Sequence, residues 1–107
     1  MNAQTQTALT NFIALAQNLV DEHHTRCFPM LPRVVLSMDK GRRYARIMRG
    51  EGENAEQGRS VYCFIDLTNG DVLKAATWKA PAKHARGSIF AENPIAGVNP
   101  YGANYLV

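Results

Sequence analysis

The sequence predicts an α+β fold: an N-terminal amphipathic helix packed on a four-stranded antiparallel sheet, followed by a short basic helix and an extended tail. Three observations carry that expectation. Apolar residues recur every three or four positions between Leu9 and Val20 and then give way to short β-branched and aromatic runs. Gly, Asn and Asp punctuate those runs at hairpin spacing. Four runs follow one another with no long helix between them, so neighbouring strands pair antiparallel and leave one face for the helix.

The helix comes first. Leu9, Phe12, Ile13, Ala16, Leu19 and Val20 form its apolar stripe, with Leu15 on the border and Gln6, Asn11, Gln17, Asn18 and Asp21 mostly elsewhere. A cap at Asn2 or Thr5 would satisfy its first amides, and it is expected to end near Glu22–His24. Pro29 and Pro32 make the segment from Cys27 a connector. The first strand is Arg33 to Met38, and Asp39-Lys40-Gly41 reads as a turn with Gly41 at positive φ. The second strand is Arg42 to Arg49, with Ala45 and Ile47 toward the core.

Glu51 to Gly58 is a polar, acidic loop. The third strand, Ser60 to Leu67, puts Val61, Cys63, Ile65 and Leu67 on one face and Tyr62, Phe64 and Asp66 on the other. Asn69-Gly70 suits a two-residue type I′ turn, which would set Leu67 against Val72 and Ile65 against Lys74. The fourth strand then runs to about Ala76. Pro81 suits the first position of a helix and Gly87 its left-handed end, so Ala82 to Arg86 is expected as a basic helical turn. Ile89, Phe90, Ile95, Tyr101, Tyr105 and Leu106 would anchor the tail.

The chain has 107 residues, 46% of them hydrophobic and 20% charged, which is enough for a single domain with its own core. No apolar run is long enough to cross a bilayer, and the first residues lack the basic and apolar regions of a secretory signal. Two cysteines, Cys27 and Cys63, are too few for a disulfide scaffold, so a reducing cytoplasm is the expected setting. The net charge of +3 is unevenly spread. Six basic residues and one acid lie between Arg33 and Gly50, five acids and one basic residue between Glu51 and Asp71, and four basic residues and one acid beyond. Two basic segments that met in space would form one anion-binding patch.

Four constellations carry candidate chemistry. Lys79, Lys83 and Arg86 would share one face of a helix, with Trp78 at its entrance and Lys74 ending the preceding strand. Cations neutralise phosphates and an indole stacks on a base, so this is the leading nucleic-acid site. The competing reading is a solvated charged face with a packed tryptophan. Arg42, Arg43, Arg46 and Arg49 form a second cluster, but strand alternation splits them between two faces, and protection of an edge strand explains them as well. His23, His24 and Cys27 have one ligand-like spacing but no second pair, so no metal is expected. Cys63, His84 and Asp66 have the types of a nucleophilic triad, yet Cys63 and Asp66 point oppositely. A nuclease using His84 as base, with Lys83 and Arg86 stabilising charge, lacks a second acid–base group.

The stretch Gly70, Asp71, Lys74, Ala76, Trp78, Lys79, Pro81, Ala82, Lys83, Arg86 and Gly87 resembles a recurrent segment in small uncharacterised proteins of bacteriophages and environmental viral genomes. The upstream GRRYARIMR and the closing YGANYL resemble the same proteins. The resemblance implies a viral origin and a host-cytoplasm setting, and it transfers no catalytic residue or cofactor. Taken together, the expectation is a non-catalytic, cofactor-free accessory protein that binds single-stranded nucleic acid through Lys74, Trp78, Lys79, Lys83, His84 and Arg86, extended by Arg43 or Arg46. The alternative is a protein-interaction module, including a homodimer formed through a sheet edge or the tail.

Overall fold

The computed structural model describes residues 3–27, 29–51, 60–99 and 102–103. The Asn2 cap, the acidic loop beyond Glu51, and the tail anchors Tyr101, Tyr105 and Leu106 lie outside the described residues. The apolar stripe forms one helix, α1 (Ala3–Cys27), which ends three to five residues beyond the expected Glu22–His24. Leu9, Phe12, Ala16 and Val20 are buried, and Ile13 and Leu19 pack half-buried beside them. Truncating the fully buried Phe12 to Ala would cost about 3–5 kcal/mol. His24 and Arg26 occupy the last turn, where cations meet the negative end of the helix dipole. Nε2 of His24 donates to the Leu31 carbonyl at 2.6 Å and draws the connector back onto the helix end.

The main sheet has five strands, not four: β1 (Val34–Lys40), β2 (Tyr44–Glu51), β3 (Ser60–Asp66), β4 (Asp71–Ala75) and β5 (Pro81–Ser88), in that spatial order and antiparallel throughout. A short hairpin, β6 (Val98–Asn99) and β7 (Gly102–Ala103), packs against β3 and β4. α1 lies on one face of the sheet over Val34, Leu36, Ala45, Ile47, Cys63, Ile65 and Val72. Ala45 and Ile47 therefore face the core as their positions indicated.

The expected basic helix is the fifth strand. A seven-residue helix with no tertiary partner cannot repay its nucleation. The same residues as a strand obtain main-chain partners along β4, with Pro81 at the start of an edge strand, where a missing N–H costs nothing. The tail is not simply extended either, because residues 89–97 fold through turns before β6. Gly97 comes so close to β5 that an added Cβ would sit 2.3 Å from the Arg86 carbonyl oxygen.

Two turns also differ from expectation. Ile65 pairs with Val72 and Phe64 with Leu73, a shift of two residues from the type I′ register. The loop is Leu67–Gly70, closed by the Gly70 amide on the Asp66 carbonyl at 2.7 Å. Its cause is Asp66, whose carboxylate accepts the Thr68 amide at 2.9 Å and the Thr68 hydroxyl, and so bends the chain early. Gly70 alone takes positive φ there (+82°). Gly41 does not; β1 continues to Lys40, and Gly41 to Arg43 make the connection, held by the Gly41 amide on the Tyr44 carbonyl at 2.9 Å.

A bulge explains why the face assignment of the third strand fails at Val61 and Tyr62. Ile47 pairs with Cys63 but Met48 with Val61, which leaves Tyr62 as the extra residue. Tyr62 turns into the core beside Val98 and Ala103. Its hydroxyl donates to the Asn99 carbonyl at 2.7 Å, and burial pushes its pKa up. The sheet edge at β1 is guarded by the helix. The Gln17 amide nitrogen donates to the Val34 carbonyl at 2.9 Å, and its oxygen accepts the Leu36 amide at 2.8 Å. One side chain thus supplies the pair of bonds that a neighbouring strand would supply.

Candidate nucleic-acid interface

The face of the sheet away from α1 carries the candidate site. Asp39 on β1 stands opposite Arg46 on β2, Arg46 opposite Phe64 on β3, and Phe64 opposite Leu73 on β4. Tyr44 meets Phe64 edge-on, with ring centroids 6.3 Å apart and planes at 78°. Because β2 begins only at Tyr44, Arg42 and Arg43 belong to the connecting loop. The alternation that would separate them does not operate there. Arg43 folds back over the Tyr44 ring at 5.2 Å and reaches Asp66 at 3.4 Å.

Asp66 is 4% exposed. Burial alone would raise its pKa. Hydrogen bonds from the Thr68 hydroxyl and amide, with the Arg43 charge, outweigh burial and hold the carboxyl below its ordinary value.

The β4–β5 connection brings the tryptophan. The amides of Ala76 and Thr77 both donate to the Ala80 carbonyl at 3.0 Å, and the Thr77 hydroxyl accepts the amides of Lys79 and Ala80. This tight tip carries Trp78, 39% exposed, back over the sheet to Arg46. The Arg46 guanidinium lies 4.3 Å from the indole centroid, donates from Nη1 to the Trp78 carbonyl at 3.1 Å, and from Nη2 to Asp39 at 2.8 Å. Its Nε is buried with no acceptor among the described residues, at a cost of about 1–3 kcal/mol. The stack on the indole and the bond to Asp39 offset that cost.

These elements enclose a cleft of about 300 Å³. Lys40, Arg42, Arg43, Arg46 and Lys79 line it, against a single acid, Asp39. The Tyr44 and Phe64 rings line it too. No described acid forms an ion pair with Arg42 or Lys79, and the Lys40 ammonium donates to the Gln6 amide oxygen on α1 at 3.2 Å. Such a pocket holds unneutralised positive charge beside aromatic surface, which matches a phosphate attached to a planar base.

Of the residues singled out from the sequence, Trp78, Lys79, Arg43 and Arg46 come together here. Lys74, Lys83, His84 and Arg86 do not. Lys74 lines a separate hollow of about 150 Å³ with Asn99 and Ala103. Lys83 and His84 are exposed on β5, and Arg86 is turned onto the His84 carbonyl. The shared helical face expected for Lys79, Lys83 and Arg86 is absent because Lys83 and Arg86 are on the strand β5 and Lys79 is in the loop before it. Lys40, Tyr44 and Phe64 were not anticipated, and Arg42 stood in the second arginine cluster but not in the expected site. Two adjacent arginines followed by tyrosine at a hairpin connection would have been the signal.

No triad assembles. Cys63 is fully buried, and burial pushes its thiol pKa up. Asp66 is engaged by Thr68 and Arg43, and no described carboxylate hydrogen-bonds the His84 ring. Cys27 is exposed at the end of α1, and the two cysteines are not bonded. No group of three potential metal ligands forms among the described residues, and no described helix is long and apolar enough to cross a membrane.

Fold and cleft together define a small α+β protein: one helix on a five-stranded antiparallel sheet, with a cationic, aromatic-lined cleft on the opposite face. The chain belongs to DUF7717, a family of unknown function whose model matches residues 2–98. That span includes the helix, the whole main sheet and every residue lining the cleft. No curated protein and no solved structure matches the chain.

Proposed function

We propose that this protein is a non-catalytic nucleic-acid-binding module that takes single strands, or strands without sequence preference, in the cleft between the β1–β2 connection and the Trp78 loop. One observation carries the reading: Arg42, Arg43, Arg46 and Lys79 line one small concavity with Tyr44 and Phe64, and the exposed indole lies beside it. Phosphate neutralisation supplies affinity, and stacking is tolerant of sequence because every base has a π-face. The resemblance of the Gly70–Gly87 segment to phage and environmental viral proteins supports an accessory role in a host cytoplasm.

The test is titration of a labelled single-stranded oligonucleotide at two salt concentrations, with Arg42→Gln and Lys79→Gln beside the wild type. Micromolar or tighter binding that weakens steeply with salt, and weakens further in both variants, is expected. Absence of binding at micromolar protein, or binding indifferent to salt, refutes the reading.

Self-association is a second reading. β5 is a sheet edge, and the half-exposed Trp78 sits at the tip of its hairpin. Light scattering across a concentration series distinguishes the two: a stable dimer that shields Trp78 favours association.

A further inference from the structure

The cleft's cations are not equivalent: Arg43 and Arg46 are each engaged by an acid and a ring, Arg43 by Asp66 and Tyr44 and Arg46 by Asp39 and Trp78, whereas Arg42 and Lys79 are exposed with no described acid paired to them. Resting on the nucleic-acid reading above, we infer that Arg46 is a positioning residue that holds the indole of Trp78 as a preformed base platform, and that the phosphates are met by Arg42 and Lys79. Three facts set Arg46 apart. Its side chain is only 21% exposed, whereas Arg42 and Lys79 are exposed. Its charge is already answered by Asp39 at 2.8 Å. Its planar group is committed to the ring at 4.3 Å and to the main chain of the same residue at 3.1 Å.

A phosphate contact at Arg46 would require breaking both the Asp39 bond and the stack. A base stacking on the exposed part of the indole requires neither. Holding ring and carbonyl of one residue at once also removes the freedom that Trp78 would otherwise lose on binding, which is how a rigid aromatic platform gains affinity. The planarity of guanidinium matters here, since an ammonium at the same place keeps the charge but neither lies flat on the ring nor forks to Asp39 and the carbonyl together.

Asp39 provides a test of sign. It is the single acid lining the cleft. If cleft charge alone governed binding, Asp39→Asn would tighten it. If Asp39 holds Arg46 and Arg46 holds the indole, Asp39→Asn weakens it.

The experiment measures the affinity of a short fluorescent oligothymidylate over a range of salt, together with the emission of the chain's single tryptophan. Far-UV circular dichroism of each variant verifies the fold. For a single strand, each phosphate contact contributes about −0.7 to the slope of log K against log salt. Lys79→Gln and Arg42→Gln are expected to reduce the slope by about that amount. Arg46→Lys and Arg46→Gln are expected to weaken binding about fivefold, the low end of what one stacked base is worth, at unchanged slope. Both are also expected to alter the unliganded Trp78 emission and diminish its quenching by the oligonucleotide, and Asp39→Asn is expected to weaken binding.

Wild-type affinity in Arg46→Lys, a slope reduced by about 0.7 in Arg46→Gln, or tighter binding in Asp39→Asn overturns the inference while leaving nucleic-acid binding in place. A wild type that does not bind the oligonucleotide overturns both.

Discussion

Replacing Gln17 by Met removes the side-chain amide that closes the exposed edge of β1 while keeping an unbranched stem of similar length. The amide makes two bonds to strand β1, to the Val34 carbonyl and from the Leu36 amide, and a third to Asp21 on the next helical turn at 3.0 Å. The third is a helix-surface pair worth a few tenths of a kcal/mol. The two edge bonds are each worth about 1 kcal/mol net. Val34 and Leu36 are themselves buried side chains, so water reaches their main chain only partly once the amide is gone. The expected loss is therefore about 2 kcal/mol. For a chain of 107 residues, an unfolding entropy of about 2.1 cal/mol/K per residue makes this a fall of roughly 9 °C in Tm. Met rather than Ala is the informative substitution, because Ala's higher helix propensity would return a few tenths of a kcal/mol.

Urea denaturation gives the free-energy change, and hydrogen exchange at the Leu36 amide locates it. A loss below about 0.5 kcal/mol, the range of an ordinary surface substitution, or a Leu36 amide that exchanges as slowly as in the wild type, would refute the edge-closing role. The site is coupled to the same edge, since β1 ends at Asp39 and Lys40, which wall the cleft.

Three further outcomes are expected. Gly97→Ala should lower Tm more than Gly41→Ala, because its Cβ meets backbone at 2.3 Å rather than at 3.3 Å, and backbone cannot swing aside. Asp66 contributes stability above the unfolded carboxylate pKa of about 3.9, and that contribution is lost as pH falls through its lowered folded value. Acid titration of stability in Asp66→Asn should accordingly be flatter below that range than in wild type, and parallel curves would remove the assignment. A thiol reagent should modify Cys27 in the native protein and reach Cys63 only on unfolding, since Cys63 is sealed in the core and held as the thiol. Rapid native labelling of both would contradict the described core.

Much of the helix and the first three strands could be read directly from residue order. A 3.6-residue apolar period has one stable outcome when a sheet face is available, so Leu9, Phe12, Ala16 and Val20 were identifiable as core, and so were Ala45 and Ile47. The segment from Pro81 to Gly87 was not readable in the same way. Its local preferences favour a helix, and pairing with β4 overrides them because a strand's stability comes from a neighbour distant in sequence. Tyr62 likewise belongs to the core only through a bulge, which alternation cannot foresee.

The candidate site divides along the same line. Basic residues near an aromatic ring are visible in the chain, but nothing in their order says which of them meet. Residue chemistry and periodicity alone establish an α+β chain with one amphipathic helix, two basic stretches and a tryptophan at a loop, since those follow from contacts within a few residues. Which cations share a cleft was settled by folding. The β4–β5 tip curls over the sheet and sets Trp78 on Arg46, 32 positions earlier in the chain. Lys83 and Arg86 are carried away on an edge strand, because hydrogen-bond register between strands is fixed by partners that local sequence does not name.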